Sequence, residues 1–259
     1  MAFPGEFLRA PRLVEGPPRE VPDTLPGRFT MVVWNVHKEA DPGFLSDLGS
    51  LVGTSGADLV LLQEARVDSD PSALQSALGD RIWHLSANLA GTKVQYGVLT
   101  ASSGLPLEAT ALLSQAGEPI ALTRKASLVT RYRIASETLC VANVHALNFS
   151  PLLSGFRGQL SDLVERMRAH AGPLIVAGDF NTWNARKQSL ADSILGSLGL
   201  VRLDFGVQSA RRASRFGHAL DHVYFHPQYL EVDTAGVQVR DSISSSDHVP
   251  LVVPFRLRS

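Results

Sequence analysis

Eight short runs rich in β-branched and aliphatic residues constrain the fold more than any other feature of the chain. They are FTMVVWNV, ADLVLLQEA, KASLVTRYRI, TLCVANVHAL, PLIVAGDFN, LDHVYFH, YLEVDTAGVQV and VPLVVPFRL. Each is of strand length and is bounded by Gly, Pro, Asp, Asn or Ser. Helical patterns lie between some of them. Phe44, Leu45, Leu48, Leu51 and Val52 share one helical face after Pro42, and Leu160, Leu163, Val164 and Met167 share another before a Gly–Pro stop. Two shorter helices are predicted, one after Asp70–Pro71 and one between Lys187 and Leu195. Residues 121–147 and the last fifty residues read as antiparallel β, so strands and helices do not alternate strictly. That mixture predicts an α/β fold in which two sheets pack face to face with helices outside, not a doubly wound parallel sheet. The chain also lacks G-x-G-x-x-G, the P-loop and H-E-x-x-H, and its single cysteine rules out a cysteine zinc site.

With 259 residues, 44% of them hydrophobic, and no low-complexity linker or internal repeat, the chain reads as one domain over 29–259. Residues 1–28, rich in Pro, Gly and charge, are expected to form an irregular arm and have no signal-peptide core. A net charge of −1 offers no global attraction to nucleic acid or anionic membranes. Cys140 sits in an apolar run and is expected to be a buried, inert thiol. No apolar run is long enough for a transmembrane helix. These features suggest a cytoplasmic monomer with no obligate protein partner.

What collects at the strand ends is more specific. Asn35 ends the first run, Gln63 and Glu64 follow the second, and Asn143, His145 and Asn148 follow a later one. Asp179 and Asn181 come next, then Asp221, and finally Asp247 and His248. Turn formers alone would serve to leave a sheet. Carboxylates gathered at one sheet edge cost several kcal/mol unless paired or metal-bound, so they suggest a cation or a reaction. Glu64 alone would be an exposed residue, but with Asn35, Asp179 and Asp247 nearby it suits a hard oxygen site for Mg²⁺. Asp179 and Asn181, two residues apart, would point the same way from an extended chain while Phe180 enters the core. Asp221 lies in an apolar strand and needs a cationic partner, for which His248 is the candidate. His37, Lys38 and the cluster Arg211, Arg212 and Arg215 read equally as solvated loops or as anion contacts. Trp183 and Asn184 either rim the site or cap the next helix, and His222 and His226 read as structural.

The stretches VVWNV, LVLLQEA, NVHALNF, IVAGDFNTW, LDHVYF and SSDHVPLVV, in this order, resemble the endonuclease/exonuclease/phosphatase (deoxyribonuclease I-like) superfamily. The likeness runs from about Phe29 to Phe255 and is closest to the bacterial YafD-like subgroup; YGVLTASSGLP fits a further strand of the family. It implies a four-layer α/β sandwich, two mixed and mostly antiparallel sheets flanked by helices. It also implies Mg²⁺- or Mn²⁺-dependent hydrolysis of phosphate esters, nucleic acid or phospholipid and small phosphodiesters among them. Carried over by position, Glu64 would be the main metal ligand, with Asn35 and Asp247 near the cation. Asp179 would align the attacking water, Asn181 would support it, and His248, oriented by Asp221, would hold a phosphate oxygen or donate a proton. His145 stands where abasic-site endonucleases carry Tyr, and Asn148 matches an asparagine three residues on. The rival readings are a silent binding scaffold on the same fold and a lipid or inositol phosphatase.

Overall fold

The structure, a computed structural model, describes residues 5–118, 123–149 and 153–258. The chain begins with β1 (Gly5–Glu15), β2 (Thr24–Leu25), β3 (Arg28–Asn35), α1 (Phe44–Ser55), β4 (Leu59–Asp68) and α2 (Ser72–Leu78). Then come β5 (Ile82–Gly91), β6 (Val94–Ser102), β7 (Pro106–Gly117), β8 (Arg124–Ile134), β9 (Glu137–His145), α3 (Ser154–Met167), β10 (Leu174–Asp179) and α4 (Ala185–Gly196). The last part holds β11 (Val201–Arg202), β12 (Ser214–Arg215), β13 (His218–Ala219), β14 (Asp221–Phe225), β15 (Leu230–Val232), β16 (Gln238–Val239) and β17 (Leu251–Leu257).

Two sheets carry the architecture. One runs β1-β5-β6-β4-β3-β17-β15 with β16 beside β17, and the other runs β11-β14-β10-β9-β8-β2 with β7 beside β8. Pairing is antiparallel except at β3–β4, β9–β10 and β2–β8, among the described residues. Period-two alternation decides which side chains enter which layer. On β3, Met31 and Val33 join the core between the sheets, whereas Val32 and Trp34 pack beneath Phe44, Leu48 and Leu51 of α1. On β10, Ile175 and Ala177 face inward while Leu174 and Val176 meet Phe156, Leu160 and Leu163 of α3. The result is the expected helix–sheet–sheet–helix order, and both strongly periodic helices form where their apolar faces predicted.

The N-terminal segment departs from expectation. Residues 1–28, read as an irregular arm, contain β1, which pairs antiparallel with β5 from Gly5 to Glu15, and β2, which adds to the other sheet. Strand β5 was equally hard to see, because IWHLSANLAG breaks its apolar run with His, Ser and Asn. It becomes a strand through hydrogen bonds from β1 on one side and β6 on the other. Among the described residues, no helix is long and apolar enough to cross a membrane.

Candidate active site

Three strands of the second sheet align their polar ends in one row. Parallel pairing of β9 and β10 sets His145 opposite Asp179, and antiparallel pairing of β10 and β14 sets Asp179 opposite Asp221. The facing end of the first sheet supplies Asn35, in register with Gln63 across β3 and β4. Gly178 lets β10 reach this row: its φ is 140°, and a Cβ there would lie 2.0 Å from the Val144 carbonyl oxygen.

Asp179 is the hub. Its carboxylate oxygen Oδ2 accepts hydrogen bonds from Asn35 Nδ2 at 3.0 Å and Asn181 Nδ2 at 3.2 Å. The same oxygen lies 3.5 Å from His145 Nε2 and 4.0 Å from His248 Nε2. Its Oδ1 accepts from the Asn181 backbone N–H at 2.8 Å. Burial raises the carboxyl to about 6, against the pull of His248 and with the added push of Asp221. The i, i+2 pair therefore does converge, but not through an extended chain. Strand β10 ends at Asp179, and Asn181 takes a left-handed φ of 52° that folds its amide back onto the carboxylate. Phe180 is buried, as the alternation required.

The two histidines beside Asp179 are set in opposite charge states. His248 Nδ1 donates to Asp221 Oδ2 at 2.8 Å, the partnership expected from the sequence. Burial opposes its charge, but the carboxylates of Asp221, then Asp179 and Asp247, together more than offset this and lift His248 to about 10. Its loop is pinned by Trp34 Nε1, which donates to the His248 carbonyl at 3.0 Å, and by Ser246 Oγ, which donates to the Asn35 carbonyl at 2.7 Å. His145 is held well below its ordinary value, first by burial and then by the Lys125 ammonium. Lys125 Nζ sits 2.9 Å from His145 Nε2; an ammonium has only protons to give, so that ring nitrogen accepts.

Of the expected metal-side residues, Glu64 and Asp247 are more open, while Asn35 is buried. Glu64 lies at a bulge in β4, with a left-handed φ of 55°, and its Oε1 is 3.7 Å from His145 Nε2. Asn35 Oδ1 accepts from the His37 backbone N–H at 3.0 Å. Asp247 is exposed and faces His37 Nδ1 at 3.5 Å. Asn148 takes part mainly through its backbone: its N–H donates to Glu118 Oε1 at 3.0 Å, and its carbonyl accepts from Trp183 Nε1 at 3.2 Å. Asp179, Asp221 and His248 form a compact group whose ligand atoms lie within 4.8 Å of one another. The Nδ1–H of His248 is committed to Asp221, so this group is better described as an ion-paired dyad beside a carboxylate than as a cation cage.

Sequence reasoning missed several residues that build the site. Lys125 sits against His145 and adds to the effect of its burial, and Glu39 accepts from the Arg66 backbone N–H at 2.9 Å just beyond the Glu64 bulge. Gln159 of α3 bridges the His145 carbonyl and the Leu147 N–H, both at 2.9 Å. Lys187 of α4 is fully buried and donates to the carbonyls of Leu147, Asn148 and Asn181. Its only visible sequence signal was a lysine in the first turn of a predicted helix, where exposure is the usual outcome. Asn184 caps that helix by accepting from the Lys187 N–H at 2.9 Å. Arg212 donates to the Asp221 carbonyl at 3.1 Å and is half-buried, whereas Arg211 remains exposed, 3.6 Å from Asp241 at the surface. His222 is buried against Thr182 Oγ1 at 2.6 Å, a structural position.

Residues 32–248 match the model of the endonuclease/exonuclease/phosphatase family. The chain is 33% identical over 242 residues to UPF0294 protein VV2535 of Vibrio vulnificus (strain YJ016), covering 89% of this chain and 78% of the relative. Its fold resembles the endonuclease/exonuclease/phosphatase of Beutenbergia cavernae DSM 12333, with a TM-score of 0.69 and 16% identity over 89% of this chain and 72% of the other. It also resembles the human Nocturnin catalytic domain, with a TM-score of 0.62 and 18% identity over 96% and 98% of the two chains. The chain belongs to the endonuclease/exonuclease/phosphatase family, whose members are phosphoester hydrolases.

Proposed function

We propose that the protein hydrolyses a phosphate ester, a phosphodiester in the first instance, by in-line attack of a water aligned by Asp179 with a Mg²⁺ or Mn²⁺ ion bound. One observation carries the reading: Asn35, Asn181, His145 and His248 all converge on one buried oxygen of Asp179. Structural packing has no use for a buried carboxylate whose own burial raises it to about 6, whereas a general base needs a value near the working pH.

Each residue then has a task. Asp179 orients the water and takes its proton, while Asn35 and Asn181 keep the carboxylate from rotating. His248 stays protonated, with its Nδ1 anchored on Asp221, and offers Nε2–H to a phosphate oxygen. His145 is neutral, and the positive charge on its side of the site belongs to Lys125, which faces the developing phosphate charge. Glu64, Asn35 and Asp247 offer hard oxygens, the donor chemistry that Mg²⁺ and Mn²⁺ prefer. Bound there, the ion would neutralise phosphate charge and favour departure of the leaving oxygen.

A panel of single- and double-stranded DNA, abasic DNA, RNA, phosphoinositides, sphingomyelin and bis-p-nitrophenyl phosphate, run with and without EDTA, tests the proposal. Turnover of at least one substrate, lost with EDTA and restored by Mg²⁺ or Mn²⁺, is the expected result. No turnover anywhere, together with no metal binding at millimolar Mg²⁺, would instead favour a binding scaffold.

A further inference from the structure

Lys187 has no exposed surface, and burial lowers its ammonium to about 7, so keeping the cation there is costly unless every proton is used. Here all three are. Nζ lies 2.6 Å from the Leu147 carbonyl oxygen, 3.1 Å from that of Asn148 and 2.9 Å from that of Asn181. It also sits 4.5 Å from the centre of the Phe156 ring. The three acceptors belong to two separate segments: the loop leaving β9, which follows His145, and the turn leaving β10, which follows Asp179. Asn181 Nδ2 joins the same two segments by donating to the Ala146 carbonyl at 3.0 Å, and Trp183 Nε1 does so by donating to the Asn148 carbonyl at 3.2 Å. Among the described residues Gln159 bonds the β9 loop and not the Asn181 turn, so it does not set the spacing between them.

We propose that Lys187 is a positioning residue for the hydrolysis: its buried ammonium clamps the β9 loop to the Asn181 turn, and so holds the Asn181 amide in place on the Asp179 carboxylate. The inference rests on the reading of this site as a phosphoester hydrolase. An ammonium suits the task because it donates in three directions from one point, whereas a guanidinium spreads its donors over a larger plane. Misplacing catalytic groups by an ångström costs about 100-fold in rate.

The test compares wild-type protein with Lys187→Met and Lys187→Arg in the full chain. It uses bis-p-nitrophenyl phosphate hydrolysis, thermal melting and backbone hydrogen exchange. Lys187→Met is expected to fold and to lose about 100-fold in kcat with KM little changed. Its exchange should quicken at 147–149 and 181–183 and nowhere else. Lys187→Arg, which keeps the charge but not the point geometry, is expected to lose kcat without losing its melting transition. Unchanged exchange at both segments in a folded Met variant overturns the clamp whatever the activity. Unchanged kcat in either folded variant overturns the catalytic consequence. If neither variant folds, Lys187 is a folding residue and the proposal fails. Should the wild type hydrolyse no ester, the functional reading falls, while the exchange data still decide whether the clamp exists.

Discussion

The two flanks of Asp179 use the same residue to opposite ends. On the β14 flank, His248 has a carboxylate behind it and is held protonated, up to about 10. On the β8–β9 flank, His145 has an ammonium against it and is held neutral, well below its ordinary value. Both rings are almost wholly buried, so burial alone would make both neutral. Carboxylates reverse that outcome at His248, whereas at His145 the ammonium adds to what burial already does. An imidazole next to a catalytic carboxylate is therefore a donor on one side and an acceptor on the other, and the residue type alone does not say which.

The severest way to break this comparison is to remove its shared centre. Asp179→Asn is expected to lower kcat on any accepted substrate by about 1,000-fold. The same change should raise the melting temperature above pH 6. The folded carboxyl is raised to about 6 from 3.8, so charged Asp179 detracts from stability as pH rises through that interval. A folded variant with full activity would remove Asp179 from the mechanism, and an unchanged melting temperature would contradict its burial penalty.

Asp221→Asn sharpens the β14 flank. Without its carboxylate, His248 should lose the support that lifts it to about 10. The alkaline limb of the pH–rate profile should then move from near 10 toward neutrality, with kcat at pH 8 falling by about 100-fold. An alkaline limb that does not move would show that His248 is not the proton-bearing group. The gentlest change, on the other flank, is Lys125→Met. It should raise the His145 titration midpoint, followed by NMR, because a cation that lowers it is gone. Activity is expected to drop by about tenfold, and a midpoint that stays put would mean burial alone keeps His145 neutral.

Much of this was legible in the chain. Strand ends carrying Asn35, His145, Asp179 and Asp221 could be read because strands have period two and stop at recognisable residues. Glu64, read as following a strand end, instead sits at a bulge inside β4, which runs on to Asp68. The Asp221–His248 pair followed from a charge in an apolar strand that needed a counter-charge. Lys125 and Lys187 could not be read in this way. Both are long side chains that sequence statistics place in water, and each reaches its target from a different element. The turn at Asn181 was misread for a related reason. Two residues in sequence look extended until hydrogen bonding to Asp179 and Ala146 rewards a left-handed backbone.

The sequence by itself determined the layered α/β architecture, the helices and the set of polar residues at the strand ends, because periodicity and turn chemistry are local properties. Register, charge state and reach belonged to the tertiary structure. Only sheet pairing could set His145, Asp179 and Asp221 in one row. Only packing could turn residues 5–15 into an edge strand and carry the Lys187 ammonium beneath the site, since both depend on partners far along the chain.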